Sequence, residues 1–143
     1  MNAQTARDEF WECFDEYVEK QGNEFYVTHV KGGKNQAAGN INNHSPMAMQ
    51  TLCCEYKYRD NVILVQLYLN QKPYPKLYDY LYSKKKEIEN EIGYVLEWID
   101  SGKIVPTVRR IQKSFYINKP IDEMVEIVYP YILDFIKVFS RYL

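Results

Sequence analysis

Cysteine is scarce in this chain and poorly placed for structural work. Its three copies are Cys13, Cys53 and Cys54. The count is odd, no CxxC spacing occurs, and neither histidine, His29 or His44, stands near a cysteine in sequence. A zinc site or a disulfide framework is therefore not expected, and a reducing cytoplasm is the expected setting. Charge of one sign is missing too. With 18 basic and 19 acidic side chains the formal net charge is -1. No global field draws the chain to nucleic acid or to an anionic membrane. Long hydrophobic runs are also absent. The opening stretch MNAQTARDEFWE has no apolar signal core. The apolar C-terminal segment is interrupted by Pro130, Asp134, Lys137 and Arg141, so no membrane span is expected there.

What is present is ordinary for a globular chain. At 143 residues, with 46% hydrophobic and 26% charged side chains, a single domain over 1–143 with its own apolar core is expected. Tyrosine is the outlier, with 14 copies against 6 phenylalanines. Its ring is buried easily while its hydroxyl stays wet, which suits half-buried sheet edges and interfaces.

Periodicity predicts the elements. A helix spans about 5–21, with Thr5 and Asp8 as a capping-box variant and Phe10, Trp11, Phe14, Tyr17 and Val18 on one face. Gly22 is its stop. Residues 25–30 allow a short strand. The segment 31–46, rich in Gly and Asn, has no period and is expected to be a loop. Residues 47–58 alternate as a strand, Arg59-Asp60-Asn61 makes a polar turn, and 62–69 form a second strand that is apolar on both faces and so central. A single helix then runs from Pro75 to Gly93, with Leu77, Leu81, Ile88 and Ile92 as its stripe. A second hairpin follows, 95–100 and 104–117, turning at Ser101-Gly102-Lys103. Pro120 opens the last helix, buried through Ile121, Val125, Val128, Ile132, Phe135 and Phe139 and kinked at Pro130. The expected fold is α+β: a four-stranded, mainly antiparallel sheet with three helices in the order α-β-β-α-β-β-α.

A set of residues distributed along the chain carries a family resemblance. They are Phe10-Trp11 with Phe14, Val65-Gln66-Leu67-Tyr68-Leu69, Lys86 with Ile88-Glu89, Gly93, Leu96, Trp98, Arg110-Ile111, and the stretch from Phe135 to Arg141. Together they resemble the domain-of-unknown-function family 4268, a prokaryotic module often attached behind a restriction-nuclease-like domain. The run Ile88-Glu89, Gly93, Leu96, Trp98 is its most specific part; residues 23–46 match poorly. Where that family often has an acidic residue, this chain has Gln66, so the resemblance implies no metal role at that position. The resemblance implies a compact α+β fold and association with nucleic-acid defence systems. It implies no mechanism.

Chemistry has few anchors. Glu55-Tyr56-Lys57 is an E-x-K whose outer members share a strand face. Metal-dependent nucleases use such a pair, the carboxylate holding Mg²⁺ and the lysine steadying a phosphate or water. The upstream acidic ligand is missing, so the coordination set is incomplete and an ordinary exposed ion pair is the expected reading. Lys31, Gly32, Gly33 and Lys34 offer glycine amides to an anion, but Thr28 and Asn35 stand where a phosphate loop needs Gly and Ser or Thr. His29 and His44, with Ser45 and Glu24, match no known catalytic spacing. Lys84-Lys85-Lys86 precedes Glu87, Glu89 and Glu91, so a solvated face with Lys85–Glu89 pairing accounts for it. Arg109, Arg110 and Lys113 are the candidate phosphate contacts, with Tyr56, Tyr58 or Tyr116 as stacking partners.

The expected function is a non-catalytic binding or accessory module of a prokaryotic nucleic-acid-acting or defence system. A protein partner or a second copy of the chain is expected, with nucleic acid as the other candidate. No cofactor is expected. The alternative is a divalent-metal nuclease using Glu55 and Lys57, and Mg²⁺ enters only there.

Overall fold

Asparagine, not threonine, starts the first helix. In the computed structural model, which describes residues 2–22, 26–29, 38–42, 51–70, 74–100, 108–116 and 118–143, Asn2 Oδ1 accepts the Thr5 amide at 2.8 Å. This satisfies one of the otherwise orphaned donors of helix α1 (Ala3–Gln21). Gly22 ends it at φ 65°, a left-handed conformation that costs a Cβ-bearing residue energy. Ala6, Phe10, Trp11, Phe14 and Val18 form the buried stripe.

Among the described residues six strands form one antiparallel sheet in the order β1-β2-β3-β4-β6-β5. They are β1 (Tyr26–His29), β2 (Ala38–Asn42), β3 (Thr51–Lys57), β4 (Val62–Asn70), β5 (Glu97–Ile99) and β6 (Val108–Tyr116). The expected sheet of four is thus extended by β1 and β2, which add to the free edge of β3. The expected loop at 31–46 is corrected at 38–42, which is strand; 31–37 and 43–46 lie outside the described residues. The β3–β4 turn is a tight helical turn, Tyr58–Asp60, closed by Asn61 at φ 51°. Asparagine is the non-glycine residue that tolerates this region best. Strand β4 pairs with β3 on one edge and β6 on the other, and Val62, Ile63, Leu64, Val65, Gln66, Leu67 and Leu69 are all buried.

The expected middle helix is two helices, α2 (Leu77–Ser83) and α3 (Lys85–Ile92). They separate at Lys84, which leaves helical geometry at φ -101°, ψ 12°. The Ser83 hydroxyl donates to the Tyr80 carbonyl, and such back-bonding competes with the helical ladder. The apolar stripe survives the break: Leu81, Ile88 and Ile92 are buried. The last helix, α4 (Ile121–Phe139), continues through Pro130, which sits on the exposed side. Four helices among the described residues, rather than three, make the order α-β-β-β-β-α-α-β-β-α. None is long and apolar enough to cross a membrane.

All four helices cover the same side of the sheet. Phe10 of α1 stacks on Tyr56 at 4.7 Å between centroids. Tyr131 of α4 meets Phe115 edge-on at 4.3 Å, and Tyr78 of α2 meets Trp98 at 6.2 Å. One core cluster joins them to Leu52, Cys54, Ile63, Val65, Leu67, Leu69 and Ile111. Each such aliphatic or aromatic side chain contributes on the order of 1.5–3 kcal/mol when fully buried. Adjacent Cys53 and Cys54 point to opposite faces, and only Cys54 belongs to that cluster.

Glu89 fastens this layer to the sheet edge. Its backbone carbonyl accepts the Gly93 amide at 2.9 Å, closing α3 at φ 92°. Its side-chain Oε2 accepts the Leu96 amide at 2.7 Å and the Trp98 indole N–H at 3.4 Å. A carboxylate near a helix C-terminus is electrostatically disfavoured; two donors offset that. Lys85, expected to pair with Glu89, instead lies 5.6 Å over the Tyr82 ring, and Lys84 faces Glu87 at 4.0 Å.

Replacing Glu89 with Ala strands the Leu96 amide and should lower stability by about 2 kcal/mol, with Glu89→Gln losing less. Equilibrium urea unfolding of the three proteins checks the order. A second expectation concerns alkaline pH. Burial pushes the Tyr94 hydroxyl well above its ordinary value, and Asp134, which accepts its hydrogen bond at 3.3 Å, adds to this. The folded state therefore holds a proton that the unfolded chain releases above about pH 10. Stability is full below that value and falls as pH rises past it. Thermal melts at about pH 8 and about pH 11 should show a shallower loss for Tyr94→Phe than for the unmodified protein.

Candidate functional site

Alternation along β6 decides what can gather where. Successive side chains point to opposite faces. Ile111 faces the helices, so Arg109, Lys113 and Phe115 face them too, while Arg110, Gln112, Ser114 and Tyr116 face the other way. Register carries this across the sheet. Gln112 stands opposite Gln66 on β4 and Glu97 on β5, and Gln66 stands opposite Cys53 on β3. Arg110 stands opposite Tyr68. Among the described residues no helix packs on this second face.

A polar row crosses it. Gln66 Nε2 donates to Glu55 Oε2 at 3.0 Å. Gln112 Nε2 donates to Glu97 Oε2 at 2.9 Å. The side chains thus run acid, amide, amide, acid over β3, β4, β6 and β5. Gln66 is 0% exposed and Gln112 7%. The carbonyl oxygens of both amides are buried and accept no hydrogen bond. Leaving a buried acceptor unsatisfied costs about 1–3 kcal/mol, so two neighbouring ones form the most unusual polar feature of the described fold. Tyr68 lies in the next row. Burial pushes its hydroxyl above the ordinary tyrosine value, Cys53 and Glu55 add to this, and the charge of Arg110 and a hydrogen bond with it oppose the shift.

The structure separates the expected phosphate contacts. Arg110 is on the helix-free face, whereas Arg109 and Lys113 are on the other. Arg109 is paired with Asp100, and Lys113 lies 5.5 Å over the Tyr94 ring. The expected stacking partners are scattered as well. Tyr56 is in the core, Tyr58 is half-buried against it at 6.4 Å, and only Tyr116, 83% exposed, is free to be touched. Arg109, Arg110 and Lys113 therefore do not share one face, and Arg110 is the one of the three on the helix-free side. Glu55 and Lys57 do share a face, half-buried and exposed respectively. No described group of three His, Cys, Asp or Glu side chains gathers to hold a metal. Because Glu55 already takes an amide proton from Gln66, and Gln66 supplies no charge, the set does not fit Mg²⁺. Lys31, Gly32, Gly33 and Lys34 lie outside the described residues, as do Glu24, His44 and Ser45.

On the far side of the helix layer, a cavity of about 570 Å³ lies between α1 and α4, lined by Cys13, Glu16, Tyr17, Lys20 and Asp122 among others. Burial, with Glu9 and Glu16 next, pushes the Cys13 thiol up. It stays protonated near neutral pH and is no ready nucleophile.

Sequence reasoning passed over Gln66 as a site residue and did not consider Gln112 or Glu97. The available signal was a glutamine at the centre of the apolar run VILVQLYLN, where a polar side chain needs a partner. Comparison with curated proteins gives no match, and comparison with solved structures gives none either. The family model described as "Domain of unknown function (DUF4268)" matches residues 6–143. Within that span Glu89, Gly93, Leu96 and Trp98 are the parts of one helix-to-strand clasp. With nearly its whole length matched, the chain belongs to the DUF4268 family.

Proposed function

We propose that this chain is a binding module without catalysis of its own, and that it acts by protein contact through the helix-free face of its sheet. Its setting, a prokaryotic nucleic-acid-acting or defence system, is what the family resemblance implies. The observation that supports protein contact is the mixed character of this face, which carries the 83% exposed Tyr116, exposed Lys57 and Glu97, and half-buried Arg110. Tyrosine and arginine are enriched where proteins meet. Direct phosphate binding has less support. On this face Lys57 and Arg110 are offset by Glu55 and Glu97, and Arg109 and Lys113 are engaged on the other side.

Photo-crosslinking tests the reading. A benzophenone amino acid in place of Tyr116, on the helix-free face, should join the chain to one protein in its source cells, or to a second copy. The same group in place of Tyr80, exposed on α2, should not. Equal yields from the two positions would overturn the proposal. So would binding of DNA or RNA at low salt that Arg110→Glu abolishes. The nuclease alternative is tested alongside: cleavage with Mg²⁺ or Mn²⁺ that Glu55→Gln removes would replace the binding reading.

A further inference from the structure

The outer face of α4 has the pattern of a surface that meets its own copy. Pro130 is the middle residue of the helix Ile121–Phe139, and it is exposed. Ile127 and Leu133, three residues to either side, are each 36% exposed. Glu123 and Lys137, seven residues to either side, are exposed too. On a helix of 3.6 residues per turn, steps of three and seven return to nearly the same face. Outward from Pro130 in both directions the stripe is therefore apolar, then charged, with the two charges opposite in sign. Among the described residues neither Glu123 nor Lys137 joins an ion pair. We infer that α4 packs against α4 of a second copy of this chain, antiparallel, about a twofold axis that passes beside Pro130.

Symmetry selects the occupant and its direction. In a twofold contact, residue i of one copy meets residue j of the other, and j meets i. Antiparallel pairing centred on Pro130 brings each residue before it level with the residue equally far after it in the partner. Glu123 then meets the partner's Lys137, and Lys137 meets the partner's Glu123. Ile127 and Leu133 of both copies surround the two prolines. A parallel pair would set like charges against each other, which is unfavourable. An unrelated partner gains nothing from an inversion of charge about one residue. The neighbouring helix agrees with this placement. Glu126 lines the cavity between α1 and α4 together with Glu16 and Asp122, so it leans from Pro130 toward α1. By helical spacing Lys137 leans the same way. A twofold axis perpendicular to the two helices preserves that side, so the partner's Lys137 lies between Glu123 and Glu126, beside an acidic cavity. The contact is on the opposite side of the molecule from the helix-free face, and it stands whether or not that face binds a partner.

Sedimentation equilibrium of the full chain tests the contact. One helix pair lies at the small end of protein interfaces, so a dimer with a dissociation constant on the order of 10 µM is expected. Glu123→Lys and Lys137→Glu should each weaken it about tenfold, and the two together should restore it, because the exchanged charges face each other again. Leu133→Asp should leave only monomer up to about 300 µM. Thermal unfolding checks that every variant is folded. Symmetry gives a second readout. A residue beside the twofold axis faces its own copy, so Pro130→Cys in a Cys13→Ser background should form a disulfide-linked dimer on mild oxidation. Tyr80→Cys in the same background, exposed on α2, should not. An unmodified chain that stays monomeric at about 300 µM would overturn the inference. So would a charge exchange no tighter than its single variants, a dimer that Leu133→Asp leaves intact, or equal disulfide yields from positions 130 and 80.

Discussion

Strand β4 hydrogen-bonds to β3 along one edge and to β6 along the other, and its side chains are buried on both faces. A strand in that position cannot shift register by one residue. Such a slip would move Ile63, Val65, Leu67 and Leu69 out of the core they share with the helices. Register in turn fixes what β6 presents to each side, and through β6 the placement of Trp98 opposite Ile111. The clasp from Glu89 then sets α3 against a strand whose position is already decided. The helices therefore follow from the sheet, and the sheet follows from nine residues of nearly unbroken hydrophobicity.

That logic separates what the sequence reveals from what it hides. Helix α4 is legible from its strong period, and helix α1 and the β3–β4 hairpin from a period with a matching stop, Gly22 at φ 65° and Asn61 at φ 51°. The central place of β4 is legible because both of its faces are apolar. Strands β1 and β2 are harder to read. β2, Ala38–Asn42, reads AGNIN, and all of its residues but Ile41 have poor intrinsic strand preference. What makes it a strand is the free edge of β3, where Asn40 stands opposite Cys53 and Ile41 opposite Leu52. Pairing of this kind is tertiary in origin and overrides local propensity. The break between α2 and α3 is hidden for the opposite reason. The apolar stripe continues across it, and only the Ser83 hydroxyl, bonded to the Tyr80 carbonyl, marks the interruption.

Proximity in sequence also misleads about charge. Arg109, Arg110 and Lys113 read as one basic cluster, yet a strand's period of two divides them between faces. The aromatic neighbours then absorb what alternation leaves on the helix side, with Lys113 over Tyr94. Conversely, Glu55, Gln66, Glu97 and Gln112 are scattered through the sequence and form one continuous row. Their unity depends on the order β3-β4-β6-β5. That order places β6 between β4 and β5, an arrangement that two consecutive hairpins do not by themselves specify.

The amides at the centre of that row bear on why a polar line crosses a buried strand at all. A carboxylate at position 66 would stand beside Glu55 and raise repulsion in a site with little water to screen it. An amide instead donates to Glu55 and leaves its own oxygen buried and uncharged. The same holds for Gln112 beside Glu97. Two glutamates thus act as fixed anchors, and two glutamines convert their charge into oriented, neutral acceptors one strand further in. Leucine at both amide positions would bury more apolar area and leave no oxygen unsatisfied. The pair is thus a local cost in stability, offset by the apolar side chains that surround it on β4.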